Sequence, residues 1–333
     1  MAGIREATAT DAVLGYVAAQ VSDDGAATGA RVIAVSPAGG VHARILVDRG
    51  LDIGAAWFGG QPVAWLSANG EHRNASLDEG EGWHAGWAGG LVTTCGLQNV
   101  GAPSEGHGRH GQFTSLAADD VSVDRTVQDD GTGEVVISGR LTEAIGLGRG
   151  IVVRRTLRFP LQPGEGGGTV ELEDEAVNES PLPLQSPLLY HVNFGYPFLD
   201  SDSVPLLQSD GAFIANAASQ PMGPPVADDQ GDEVLELPVN PDPTGWASAA
   251  LESRRLQLRA VLSWQTKTLP RLFTWQRRAA GSYVCALEPA NCSVQGRAFD
   301  RAQSRHPMLA PGERRRTVMR IAFERMAGSG ERR

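Results

Sequence analysis

Cysteine is scarce in this chain: Cys95, Cys285 and Cys292 are the only three in 333 residues. So few thiols over such a length make no disulfide framework, and the C-x6-C spacing at 285–292 is not a usual zinc spacing. Basic blocks are also rare. With a formal net charge of −10 and nothing larger than "ERRR" (313–316) and the terminal "GERR", the chain repels phosphate backbones, and nucleic acid is not an expected partner. No apolar run is long enough to span a bilayer. The start "MAGIREATATDAV" lacks the apolar segment behind a basic head that marks a signal peptide. These absences predict a soluble cytoplasmic protein without membrane contact. Walker, GxSxG and HExxH motifs are missing too, and "GLGRG" (146–150) has no βαβ unit around it, so phosphoryl and hydride transfer have no place to occur.

Glycine and proline, by contrast, are plentiful at 41 and 20 residues. Between their clusters lie period-two stretches: "RVIAVS" (31–36), "VHARILVD" (41–48), "EVVISGRL" (134–141), "IVVRRTLRF" (151–159) and "TVELEDEAV" (169–177). The second half adds "RRLQLRAVLSW" (254–264), "RLFTW" (271–275), "SYVCALE" (282–288) and "RTVMRIAFER" (316–325). Turn chemistry such as "QDDGTG" and "PLQPGEGGG" separates them. Such dense strand patterns with sparse helix signals predict an all-β, large antiparallel sandwich with few short helices. Residues 5–22 fit a short helix or an opening strand equally well. No composition break marks a linker, so one domain over 1–333 is expected, with a frayed tail at 327–333.

Four stretches carry candidate chemistry. In "DRGLDIGAAWFGG" (48–60), Arg49 and Asp52 form either a surface ion pair at a strand end or a guanidinium aimed at a cleft. In "EGWHAGWAGGLVTTCGLQNVGAPSEGHGRHGQ" (81–112), Trp83, His84, Trp87, His107 and His110 sit among glycines, a composition suited to a sugar-binding loop. In "LLYHVNFGYPFLD" (188–200), His191 is either a packed core histidine or a positioned acid; Tyr190, Asn193 and Tyr196 nearby suggest a polar cavity. In "YVCALEPANC" (283–292), Glu288 ends an apolar strand just where Pro289 stops it, as a solvated carboxylate or as a general base at a sheet rim. "LEDE" (172–175) and "ADD" (118–120) read as solvated faces or turns.

Taken together, "DRGLDIG", "GGLVTTCGLQNVG", "GRHGQ", "YHVNFGYP" and "ALEPAN" resemble the aldose 1-epimerase (galactose mutarotase-like) superfamily, in its bacterial branch carried as a domain of unknown function (DUF4432-like). The resemblance runs from about residue 30 to about 325, and the order Arg, His, His, Glu along the chain strengthens it. It implies a twisted antiparallel β-supersandwich with a sugar cleft on one sheet. By motif, His191 takes the general-acid role and Glu288 the general-base role, on opposite sides of the sugar. His110 would help hold the sugar and its ring oxygen, and Arg49 and Asn193 would contact substrate. The aspartate that grips sugar hydroxyls in typical mutarotases has no clear counterpart. The implied function is anomer exchange in a free aldose or related sugar acid, without metal or cofactor. The alternatives are a carbohydrate-binding protein without turnover, and an epimerase or isomerase acting at a sugar carbon with the same acid/base pair. The partner expected is a small carbohydrate; which sugar, and whether the chain forms a homodimer, the sequence leaves open.

Overall fold

The computed structural model describes residues 8–72, 82–144, 148–164, 167–216, 220–228 and 231–326. The tail expected to fray, 327–333, lies outside them. Among the described residues, period-two sequence becomes two large antiparallel sheets. One runs, in spatial order, through strands Gly15–Val21, Arg31–Pro37, His42–Leu46, Asp52–Phe58, Val92–Gly96, Leu188–Gly195, Ser282–Ala290, Arg271–Ala279 and Glu233–Leu237. The other runs through Ala212–Ala215, Pro205–Ser209, Trp246–Ser253, Leu258–Gln265, Arg314–Arg325, Gly167–Asn178, Ile151–Leu161, Gly133–Glu143 and Asp119–Val127. Of the stretch left undecided at 5–22, the described residues from 8 onward hold a single 3-10 turn, Asp11–Val13, and an opening strand, Gly15–Val21. No helix among the described residues is long and apolar enough to cross a membrane.

The apolar positions of both sheets meet in one core that includes Ile45, Ile53, Leu157, Tyr190, Leu262 and Phe323. A cluster of charge is built into it. Arg155 is fully buried and spends all five N–H donors: Nε and Nη2 on Asp174 at 2.8 and 2.6 Å, Nη1 on Asp52 Oδ1 at 2.6 Å and Gly50 O at 2.9 Å, and Nη2 also on Thr94 Oγ1 at 2.9 Å. Tyr190 donates to Asp174 Oδ2 at 2.7 Å. Two sequence expectations are corrected here. Asp174 is not on a solvated face: in Gly167–Asn178 it falls on the inward parity with Leu172 and Ala176, while Glu173 and Glu175 point out and pair with Arg316 and Arg314. Nor does Asp52 pair with Arg49; it turns inward to Arg155.

Candidate functional site

Four neighbouring strands of the first sheet, Val92–Gly96, Leu188–Gly195, Ser282–Ala290 and Arg271–Ala279, share with the Trp83–Trp87 loop a second cluster on the face away from the main core, with Trp83, Trp87, Leu189, Phe273, Trp275 and Ala286 among its members. Strand alternation produces this division. In Leu188–Gly195, Tyr190, Val192 and Phe194 feed the main core, whereas Leu189, His191 and Asn193 take the opposite face. The register pairs Leu189 with Ala290 and Val192 with Leu287, which sets His191 directly across from Glu288. The same row continues to Thr93 on one side and Phe273 on the other. Pro289 does not stop its strand: Ser282–Ala290 runs through it, with Pro289 opposite Leu272 near the strand end.

Over this row lies a hollow lined by Trp83, His84, Trp87, Gly101, Arg109, His110, His191, Asp232, Val234, Trp275, Glu288 and Val294. The His191 ring is flanked by the indoles of Trp87 and Trp275, with centroids at 5.1 and 5.3 Å and steep interplanar angles. Trp87 is itself fixed, because its Nε1–H donates to Thr93 Oγ1 at 3.0 Å, and that hydroxyl donates on to Gly89 O. Trp83 packs against Trp87 and His110, with centroids at 4.9 and 4.7 Å. Trp83, His84 and Trp87 thus line the hollow. His107 does not line it; its Nδ1 lies 3.1 Å from Gln98 Oε1.

His191 Nε2 and Glu288 Oε1 are 2.8 Å apart, and both side chains are nearly inaccessible to solvent. The two form a buried contact between a ring nitrogen and a carboxylate oxygen. Buried charged side chains are rare, and titratable pairs of this kind concentrate where chemistry or a ligand uses them. The resemblance implies acid and base on opposite sides of a sugar; here the two side chains are in direct contact. They are side by side on the floor of one hollow, because cross-strand neighbours on a single face lie about 5 Å apart at Cβ.

His110 sits on the wall at 6.1 Å from the His191 ring. Its backbone is left-handed, φ +57°, in a loop tied to Gly101 by two hydrogen bonds: His110 N–H donates to Gly101 O at 3.0 Å, and Gly101 N–H donates to His110 Nδ1 at 3.3 Å. Position 101 tolerates no side chain, since a Cβ there would lie 1.8 Å from Val294 O. Burial holds the His110 imidazole well below its ordinary pKa, helped by the nearby His191, Arg109 and His84. The ring is neutral, and because Nδ1 accepts, its proton is on Nε2. His110 is thus a fixed hydrogen-bond donor.

Two residues expected to touch substrate are placed elsewhere. Arg49 is buried outside the lining, with Nη2 donating to Gly86 O at 2.6 Å and Nη1 to His72 O at 3.4 Å. It braces the loop that carries Trp83 and Trp87, because the tight turn after Val47 directs it under that loop. Asn193 lies beneath His191 and is likewise outside the lining. Of the other polar residues near His191, Tyr190 faces the core and Tyr196 faces solvent under Arg255. Sequence reasoning missed Asp232, Val234 and Trp275 as lining residues. Trp275 was legible in principle, being two residues from Phe273 on one strand face; Asp232 follows a loop and left no signal. Its carboxylate meets Arg277 Nη1 at 2.7 Å. Among the described residues, no group of three His, Cys, Asp or Glu is placed to hold a metal ion.

The family described as "Domain of unknown function (DUF4432)" matches residues 27–323. No curated protein matches the chain. Among solved structures it is similar to a "putative aldose 1-epimerase" from Klebsiella pneumoniae, at TM-score 0.77 and 20% identity over 93% of this chain and 83% of that one. A galactose mutarotase-like protein from Clostridium acetobutylicum matches at 0.57 and 15% over 94% and 99%. A GalM/aldose epimerase homologue from C. elegans matches at 0.52 and 12% over 90% and 100%. At these identities the likeness is one of fold: the galactose mutarotase-like β-sandwich.

Proposed function

We propose, for a chain that belongs to the DUF4432 family and folds as a mutarotase-like sandwich, that the hollow binds a sugar and exchanges its anomers. The observation that carries this reading is the contact of His191 with Glu288 on the floor of an indole-walled hollow. Anomer exchange works on two oxygens bonded to one carbon, so its acid and base must reach points close together, as neighbouring side chains on adjacent strands do. Glu288 takes the proton of the anomeric hydroxyl while His191 Nε2–H gives its proton to the ring oxygen, and the bond between C1 and the ring oxygen breaks. After rotation about C1–C2, the ring hydroxyl attacks the other face of the carbonyl. The two protons then return along the same paths, which restores the pair. The indoles of Trp87 and Trp275 present faces suited to sugar C–H bonds. His110 Nε2–H donates to a sugar oxygen, and Asp232 accepts from a hydroxyl at the mouth.

A carbon-centred inversion fits less well. It places acid and base on opposite faces of one carbon, and here they share one side. A binding role without turnover gives no reason to hold an imidazole and a carboxylate in contact on the floor of the hollow. The test follows freshly dissolved single anomers of a sugar panel by NMR, against buffer alone. Faster equilibration of at least one sugar, with every C–H retained in deuterated solvent, is the expected result. Deuterium entering at carbon would select the carbon-centred reaction. Binding of a sugar without acceleration would select the binding protein.

A further inference from the structure

A histidine that donates a proton from one nitrogen needs its other nitrogen fixed. Asn193 does this for His191. Its Nδ2 donates to Gly90 O at 2.8 Å and to the carbonyl of His191 itself at 3.0 Å. Carbonyl oxygens only accept, so the amide has one permitted orientation; flipping it would set Oδ1 against two carbonyls. Oδ1 therefore faces His191 Nδ1, with which it is in contact, and Oδ1 also only accepts. The proton of that contact must be on Nδ1. The carbonyl that fixes the amide belongs to a closely packed glycine: Gly90 has φ +108°, and a Cβ there would lie 2.7 Å from Ile53 O. On the other side of the ring, Nε2 sits 2.8 Å from Glu288 Oε1. That approach is attractive only with a proton on one of the two atoms.

We propose that Asn193 is a positioning residue that locks His191 in the Nδ1–H tautomer, so that Nε2 is the one nitrogen exchanging a proton with the hollow and with Glu288. Free histidine in water favours the other tautomer, so the assignment is a property of this site. It gives the two histidines of the hollow opposite tautomers: His110 is a permanent Nε2–H donor, whereas His191 offers an Nε2 whose proton comes and goes. The catalytic meaning of the lock rests on the function proposed above; the tautomer itself does not.

The experiment is long-range ¹H–¹⁵N NMR of histidine-labelled full-length protein, recorded upward in pH until the His191 ring is neutral, with His191→Gln supplying the assignment. The expected result is that Nδ1 keeps the signature of a protonated nitrogen throughout while Nε2 alone converts to the unprotonated type. Removing the acceptor in Asn193→Leu lets the neutral ring revert toward Nε2–H. On a turned-over sugar, kcat of that variant falls by at least about 10²-fold, the low end of what a positioned general acid contributes, with a much smaller change in KM. A neutral wild-type ring protonated on Nε2 overturns the proposal, and so does an unchanged Nδ1 signature in a folded Asn193→Leu. The wild-type spectrum decides alone if that variant does not fold. An Nδ1–H signature in a protein that accelerates no sugar would sustain this inference while refuting the proposed function.

Discussion

Arg155→Met is the most informative perturbation of the fold, because its guanidinium is the cation that two buried carboxylates share. Five N–H donors are lost. Asp174 keeps only the Tyr190 hydroxyl, and Asp52 keeps the amide and hydroxyl of Thr94 at 3.0 and 2.6 Å. The cluster goes from one cation between two carboxylates to two buried carboxylates with no cation. Removing one partner of a buried ion pair costs about 3–5 kcal/mol. That is a large fraction of the roughly 5–15 kcal/mol by which a folded domain is usually stable. Urea unfolding followed by tryptophan fluorescence should show the loss as a fall in midpoint at constant slope. Arg155→Lys recovers little, since an ammonium cannot fill the planar fork. A loss under about 1 kcal/mol for Arg155→Met would refute the claim that the two buried carboxylates depend on this cation.

Other consequences are open to measurement. Burial raises the Glu143 carboxyl from its ordinary 4.5 to about 8, against the opposing pull of Arg297. The folded state therefore binds that proton more tightly than the unfolded chain, and the stabilisation is full below about 4.5 and is lost as pH rises through about 8. Glu143→Gln should flatten that part of the stability profile, as read by thermal melts from pH 5 to 9; an unchanged profile contradicts the burial argument. Trp275→Ala removes one indole beside His191 and should raise KM for the sugar about 10-fold with less effect on kcat, matching the upper value of an aromatic contact. Burial pushes the Cys285 thiol up to about 12 and raises Cys95 and Cys292 as well. A maleimide reagent at pH 7 should leave all three unmodified in the folded protein, counted by mass spectrometry.

Much of the architecture was written in period-two patterns. Arg31–Pro37, Ile151–Leu161 and Arg314–Arg325 fall almost where their alternation put them, because each presents one face to the core. What alternation does not carry is which strands become neighbours. His191 and Glu288 were legible as candidates, yet their contact arises because Leu188–Gly195 and Ser282–Ala290, nearly a hundred residues apart, pair in a particular register. Asp174 shows the opposite failure. Read as composition, "LEDE" is a charged surface; read by parity, its aspartate points inward, and only the distant Arg155 makes that position tenable. Arg49 and Asn193 were polar residues beside a cleft, and sequence could not distinguish a side chain facing the hollow from one holding up its wall.

The pairing of acid and base is tested most directly by one rate comparison. On a sugar whose anomers the wild-type protein equilibrates, His191→Ala and Glu288→Gln should each lower the enzyme-catalysed rate by about 10²–10⁴-fold, with the folded circular-dichroism spectrum retained. Wild-type rates in both folded variants would mean that the imidazole and carboxylate in contact beneath the indoles are not what moves the protons.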